Sequence, residues 1–326
     1  MLVHGPNGAG KTNLLEGLHV GTQGFSPRAR NDAQMVRFGA DAARIVLRGT
    51  NAKTAFETDV VLAPRDARRA HLNGERLASA ERLRLELRTL VFTPDRLAVV
   101  KGAPSTRRAY LDRSLGRLAP ARAPLPVEYG AAVGQRNAAL RRLRAGSSSR
   151  DALRPWTEKV VALGSALVAA RAYTAATLER PFAELAGFLG LDEATFRYDG
   201  EPPTIAELDA RLERDLDRGI TGAGPHLHDV RLEARGRELR SFGSQGEQRI
   251  AVLALVLAEA AVLRSQADAS PLVLLDDVLS ELDGDRRRAL AEIVSRGGQT
   301  IITATARSAF PVEPTQVLAV TPGAVR

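Results

Sequence analysis

Eight residues near the start of the chain, GPNGAGKT, set three glycines beside an amine and a hydroxyl. Gly5, Pro6, Asn7, Gly8, Ala9, Gly10, Lys11 and Thr12 fit the pattern G-x-x-x-x-G-K-[ST] in full. That pattern suits the capture of a nucleoside triphosphate. Glycines let the backbone curl until successive N–H groups face the β- and γ-phosphates. Lys11 brings positive charge to the same oxygens, and the Thr12 hydroxyl is placed to ligate Mg²⁺. A helix must follow, with its positive end toward the anion. Leu14, Leu15 and Leu18 supply the apolar face of such a helix.

Two carboxylates far downstream complete the chemistry. Asp276 and Asp277 close LVLL, an unbroken apolar run expected of an interior parallel strand. An acid at the end of such a strand is where nucleotide-borne magnesium is held. Asp276 is therefore the expected metal partner, and Asp277 is placed to orient or deprotonate an attacking water. The competing reading is a pair of helix-capping acids; a phosphate loop in the same chain weighs against it. SFGSQGEQR then sets Ser244 and Gly246 at a helix start, a second place for an anion. Two anion sites in one chain suggest a sandwich, in which Ser244 of one copy covers the γ-phosphate held by Lys11 of another.

These groups need elements to carry them. RIVLR and FETDVVLA read as strands, HLNGERL as a hairpin turning at Asn73-Gly74, and LRTLVF (87–92) as a further strand. Residues 124–190 read as two long helical pieces broken by GSSSRD at 146–151. Trp156, Val160, Leu163, Leu167 and Ala170 recur there at helical spacing. Thr204 and Glu207 have capping-box spacing ahead of a short helix. From 241 onward a buried helix, PLVLLDD, a helix near 284–296, the strand TIITAT and a last strand VLAV alternate as a parallel sheet requires. The expected fold is α/β: a parallel sheet with an antiparallel β-subdomain and a helical arm. The expected division is a discontinuous head of 1–112 and 220–326, with an arm of 113–219.

Composition narrows the class. At 326 residues, 44% hydrophobic and 26% charged, the chain is an ordinary globular protein of about two domains. Its longest apolar stretch, Ile250 to Ala258, is too short to span a bilayer and is followed by Glu259. The absence of cysteine excludes disulfides and thiolate metal sites and fits a reducing, cytoplasmic setting. The formal charge of +8 is nearly all arginine, which suits phosphate, although codon bias would give the same composition.

In their order, GPNGAGKT, SQGEQR and LVLLDDVLSELD resemble an ABC-type ATPase head of the SMC kind, and more narrowly the RecF family. PDRLAVVKGAPSTRRAYLD (94–112), GPHLHD (224–229) and QRNAAL (135–140) carry the narrower likeness, which runs from residue 1 to about 320. The resemblance implies a protein that binds ATP with Mg²⁺ and dimerises around it. It implies binding to gapped DNA at single/double-strand junctions, and work with RecO and RecR in loading RecA during repair, replication restart and the SOS response. By the same likeness Asp276 is the metal-binding acid, Asp277 stands at the catalytic-base position, Ser244 is the signature serine and 280–283 the D-loop. Many ABC heads carry Glu where this chain has Asp277. Asp is shorter by about 1.5 Å, and a misplacement near 1 Å costs roughly a hundredfold in rate. Slow hydrolysis, serving a switch, is the expectation.

The chain departs from the family in places. Only Met1 to His4 precede Gly5, where the family has a longer stretch; leading residues are expected to be missing, leaving a sheet edge unpaired. Transporter heads place a histidine where TIITAT offers Thr303 or Thr305. Gln34 is the nearest Q-loop candidate. His228 replaces an acid of the family's GPHRDD, and His226, His228 and Asp229 make a poor metal set. For DNA the candidates are Lys101, Arg107 and Arg108, then Arg141, Arg142 and Arg144 on a helix face. Two rivals fit less well: a transporter subunit has a shorter interval between loop and signature, and a chromosome-structural SMC head inserts a far longer coiled coil.

Overall fold

The computed structural model describes residues 1–29, 31–52, 54–64, 66–266 and 269–325. Its chain folds into two compact units: Met1–Leu97 with Glu184–Leu191 and Ser244–Arg326, and Ala98–Ala183 with Asp192–Gly243.

In the first unit the apolar run Leu2–His4 is an interior strand of a six-stranded sheet. The order across it is Ala324–Val325, Val317–Thr321, Leu2–His4, Thr300–Ala304, Leu272–Leu275, Thr89–Phe92. Neighbours pair in parallel except the two-residue edge strand. The helix Lys11–Gln23 lies on this sheet, closing a core of Val3, Ala9, Leu15, Val91, Leu274, Ile301 and Val320. Burying a side chain such as Leu15 stabilises by about 1.5–3 kcal/mol. The helix Gln245–Gln266 is buried nearly all round, as its sequence requires.

A four-stranded antiparallel sheet, Ala43–Asn51, Thr54–Leu62, Arg69–Leu72 and Glu75–Arg76, completes the unit. Asn73 and Gly74 both take positive φ, 51° and 80°, the geometry of a two-residue hairpin turn. Ala43–Asn51 is an edge strand, bonded along one side only.

The second unit is built on the helices Pro104–Leu118 and Leu125–Arg144 and on most of Arg150–Phe188. Val160, Leu167 and Ala170 enter a core with Leu115, Tyr129, Ala132, Val133 and Leu208, while Trp156 packs on Ala139, Leu140 and Leu153. Helix Arg150–Phe188 is long and apolar enough to cross a bilayer by length and composition. Its apolar side instead faces these core residues, and its Arg171 pairs with Asp112. Thr204 caps the helix Ile205–Ala210 by accepting from the Glu207 N–H at 3.0 Å, as its spacing requires.

This unit takes in residues 98–112 and 220–243, beyond the 113–219 expected of the arm, and leaves 184–191 to the first unit. Pairing across the chain explains the difference. Asp229–Ala234 forms a sheet with Thr195–Asp199 and Arg237–Glu238, and Arg107 grips Asp229 through two bonds of 2.8 and 2.6 Å.

GPHLHD is tied down through its histidines. The Thr221 carbonyl can only accept, so His226 Nε2 carries the proton that it receives at 3.0 Å. His226 Nδ1 then accepts from the Tyr129 hydroxyl at 2.7 Å. Burial above all holds His226 and His228 below the ordinary histidine value, and the nearby Arg108 and Arg171 guanidiniums add to it. Against this, the bond to the Thr221 carbonyl raises His226, followed by Asp215, and Glu207 raises His228. Above pH 6.5 folded and unfolded forms are both neutral. Below it the unfolded chain binds protons first, so this unit loses stability on acidification. Urea midpoints followed by Trp156 fluorescence should fall between pH 7.5 and 5.5. His226→Gln, which preserves one donor and one acceptor, should flatten that fall; an identical fall in the variant would refute the cause.

Candidate nucleotide site

The sheet register brings the expected groups together. Val3 pairs with Thr303 and Leu275 with Ile302, so Thr303 lies beside the end of the Asp276 strand. Leu274 and Ile301 both face the core under helix Lys11–Gln23. Side chains alternate along a strand, so Asp276 and Thr303, two residues further on, extend that same face toward the helix start. There the Thr12 hydroxyl donates to Asp276 Oδ1 at 3.1 Å, and Thr303 Oγ1 donates to the same oxygen at 2.9 Å. Asp276 is 4% exposed.

The loop is formed as its glycines demand. Gly8 and Gly10 take φ of 79° and 102°, which L side chains rarely adopt. A Cβ on Gly5 would collide with the Val320 carbonyl. Lys11 Nζ donates to the carbonyls of Gly5 and Pro6 at 2.7 and 2.9 Å, bracing the loop from within. An ammonium has three donors, so one is left for a ligand. Helix Lys11–Gln23 has Gly10 as its N-cap, no side-chain cap and no acid in its first turn. Its N–H groups and positive end are therefore uncompensated, the condition for binding an anion.

Asp276 and Thr12 form a hard-cation donor pair, one carboxylate and one hydroxyl. Magnesium carried by a nucleotide takes one or two protein oxygens and fills its other positions with phosphate and water, so these residues fit it. Among the described residues no cluster of three His, Asp or Glu forms an all-protein metal cage. His226, His228 and Asp229 are engaged instead with Tyr129, Tyr198 and Arg107.

Asp277 is half-buried, and its carboxylate makes no hydrogen bond among the described residues. Its backbone is left-handed, φ 49° and ψ 29°, and its N–H donates to Thr303 Oγ1 at 2.8 Å. That conformation costs an L-residue about 1–2 kcal/mol, and Asp and Asn visit it more readily than other side chains.

Ser244 stands at the start of helix Gln245–Gln266, as expected, but in a capping box. Its Oγ accepts from the Glu247 N–H at 3.2 Å, and its own N–H donates to Glu247 Oε2 at 2.8 Å. The spacing S-x-x-E was readable in the sequence. Gly246 lies in the first turn of the same helix. No described hydrogen bond joins Ser244 to Lys11, Thr12, Asp276 or Asp277. Gln34 sits in the turn Asp32–Met35, its N–H bonded to Asn31.

The DNA candidates lie on the second unit. Arg107 is corrected: it is 2% exposed and spends its donors on Asp229, Val100 and Gly102, so it cannot face a phosphate. Lys101 is exposed, and Arg108, half-buried, donates to the His228 carbonyl. Arg141 and Arg144 hold the carbonyls of Gly219 and Asp217 at the end of helix Leu212–Arg218, where cations oppose the helix dipole.

The family model described as RecF/RecN/SMC N terminal domain matches residues 1–323. The chain belongs to the RecF family. A DNA replication and repair protein RecF of Heliobacterium modesticaldum is 36% identical over 323 residues, covering 95% of this chain and 87% of that one. Its counterpart in Bacillus subtilis is 31% identical over 322 residues, covering 93% and 86%. The solved structure of a recombination mediator protein RecF with ATP, in the RecFOR pathway, is 25% identical. It matches with a TM-score of 0.85, covering 100% of this chain and 90% of that one. The RecF fold is an SMC-type ATPase head with a parallel sheet, antiparallel sheets and a long helical arm.

Proposed function

We propose that this RecF-family chain binds ATP with Mg²⁺, dimerises around it, and in that state holds gapped DNA at single/double-strand junctions. There it would assist RecA loading together with RecO and RecR, in the cytoplasm, as a weak DNA-stimulated ATPase that serves as a switch. The observation that carries the reading is the meeting of Thr12 and Asp276 beside an uncapped, acid-free helix start braced by Lys11.

Each residue has work to do in that reading. Loop N–H groups and the remaining Lys11 proton bind the β- and γ-phosphates. Asp276 and Thr12 would hold Mg²⁺, which when bound withdraws charge from the phosphate oxygens. Asp277 accepts a proton from the attacking water. Ser244 of a second copy covers the γ-phosphate from the other side; the Ser244 oxygen accepts the Glu247 N–H and its hydroxyl proton remains free to donate. ATP closes the pair and hydrolysis opens it. Lys101 and Arg108 contact DNA phosphates without reading sequence.

The test is light scattering with magnesium ATP, with and without gapped duplex. The parent should become dimeric with nucleotide, and Lys11→Ala should stay monomeric. Binding of the dimer to gapped duplex should weaken steeply with salt. A parent that stays monomeric at saturating nucleotide sinks the proposal.

A further inference from the structure

Thr303 is a buried hydroxyl that phosphate binding does not use. It is 1% exposed and bonds to both acids of the site. The direction of each bond is fixed. A backbone N–H can only donate, so Thr303 Oγ1 accepts from Asp277; the single hydroxyl proton then goes to Asp276 Oδ1. One oxygen thereby satisfies the N–H of a residue held in the left-handed region and pins the neighbouring carboxylate. Thr12 donates to that same Oδ1, so its position is set by two hydroxyls.

We propose that Thr303 is a positioning residue for hydrolysis. It fixes the backbone of Asp277, and so the direction of its carboxylate, while it orients Asp276. This rests on the reading of Asp276 and Asp277 given above. The phosphates are held by the loop and Lys11, which Thr303 does not touch. Asp276 keeps its bond from Thr12 when Thr303 is lost, so the loss should act on turnover far more than on nucleotide capture. A methyl in place of the hydroxyl keeps the volume but leaves the Asp277 N–H without its acceptor, freeing that backbone to leave its conformation. Misplacing a reacting group by about 1 Å is enough to cost up to a hundredfold.

The experiment compares the parent with Thr303→Val and Thr303→Ser in three measurements: ATP turnover, equilibrium nucleotide affinity and nucleotide-driven dimerisation. In Thr303→Val, kcat should fall at least about tenfold, with nucleotide affinity within about threefold of the parent. The ATP-bound dimer should persist longer. Thr303→Ser, which restores the oxygen, should return kcat toward the parent. A merely structural role would shift affinity, dimerisation and turnover together. If the valine variant does not fold, Thr303→Cys replaces it, with kcat expected in the order Thr, Ser, Cys. A valine or cysteine variant with parental kcat overturns the inference, as does a loss of affinity matching the loss of kcat. A parent that neither dimerises nor hydrolyses ATP overturns the functional reading itself, and this inference with it.

Discussion

Arg136→Met is expected to destabilise the helical unit by about 3–5 kcal/mol, the cost of breaking a buried ion pair from one side. Arg136 and Asp215 are 1% and 3% exposed, with Nη1 to Oδ2 at 2.8 Å. The guanidinium also donates to Thr221 at 3.0 Å and to Thr157 at 3.2 Å. The other Asp215 oxygen receives the Gly222 N–H, and Asn137 receives both the N–H and the hydroxyl of Thr221. Helix Leu125–Arg144 is thereby tied to the segment leading into GPHLHD. Methionine matches the length of the stem but leaves the Asp215 carboxylate buried without its cation. The chain's single tryptophan, Trp156, adjoins Thr157 and reports on this unit alone. Urea unfolding followed by its fluorescence gives the value. Adding Asp215→Leu should recover much of the loss, because a buried pair replaced by apolar groups is often neutral. A single mutant within about 1 kcal/mol of the parent would show that water reaches this pair.

What the sequence made legible was local. The phosphate loop, the acids ending LVLL, the Asn73-Gly74 turn and the Thr204 cap each depend on a few adjacent residues whose backbone requirements are strict, and each is present. The parallel sheet followed from unbroken apolar runs. Partnerships across the chain were not legible. Arg107 reads as a free cation until Asp229, far along the chain, is folded against it; charge in a sequence says nothing about pairing. The strand Asp229–Ala234 recruits Thr195–Asp199 across a stretch containing two short helices, and so moves residues 220–243 out of the expected head. At Ser244 the S-x-x-E spacing carries a capping box at the same helix start that is expected to meet an anion.

Asp277→Asn should lower ATP turnover by about a hundredfold or more, since a positioned general base contributes roughly 10²–10⁴. It should also prolong the ATP-bound dimer on DNA. The substitution is unusually clean here because of the backbone. Asn tolerates the left-handed region as well as Asp does, so the Asp277 N–H bond to Thr303 and the course of the following turn are retained. Only the capacity to accept a proton is removed. The same conformation bears on the shortness of this side chain. Glu, which many ABC heads carry at this position, visits the left-handed region less readily, so a longer acid would trade backbone strain against reach. Asp277→Glu is thus a poor way to ask whether reach limits the rate, and Asn a good way to ask whether the carboxylate matters. Turnover per dimer and the lifetime of the complex, measured on one preparation, decide it. A variant that hydrolyses and dissociates like the parent would remove Asp277 from the reaction and leave its left-handed backbone without a catalytic purpose.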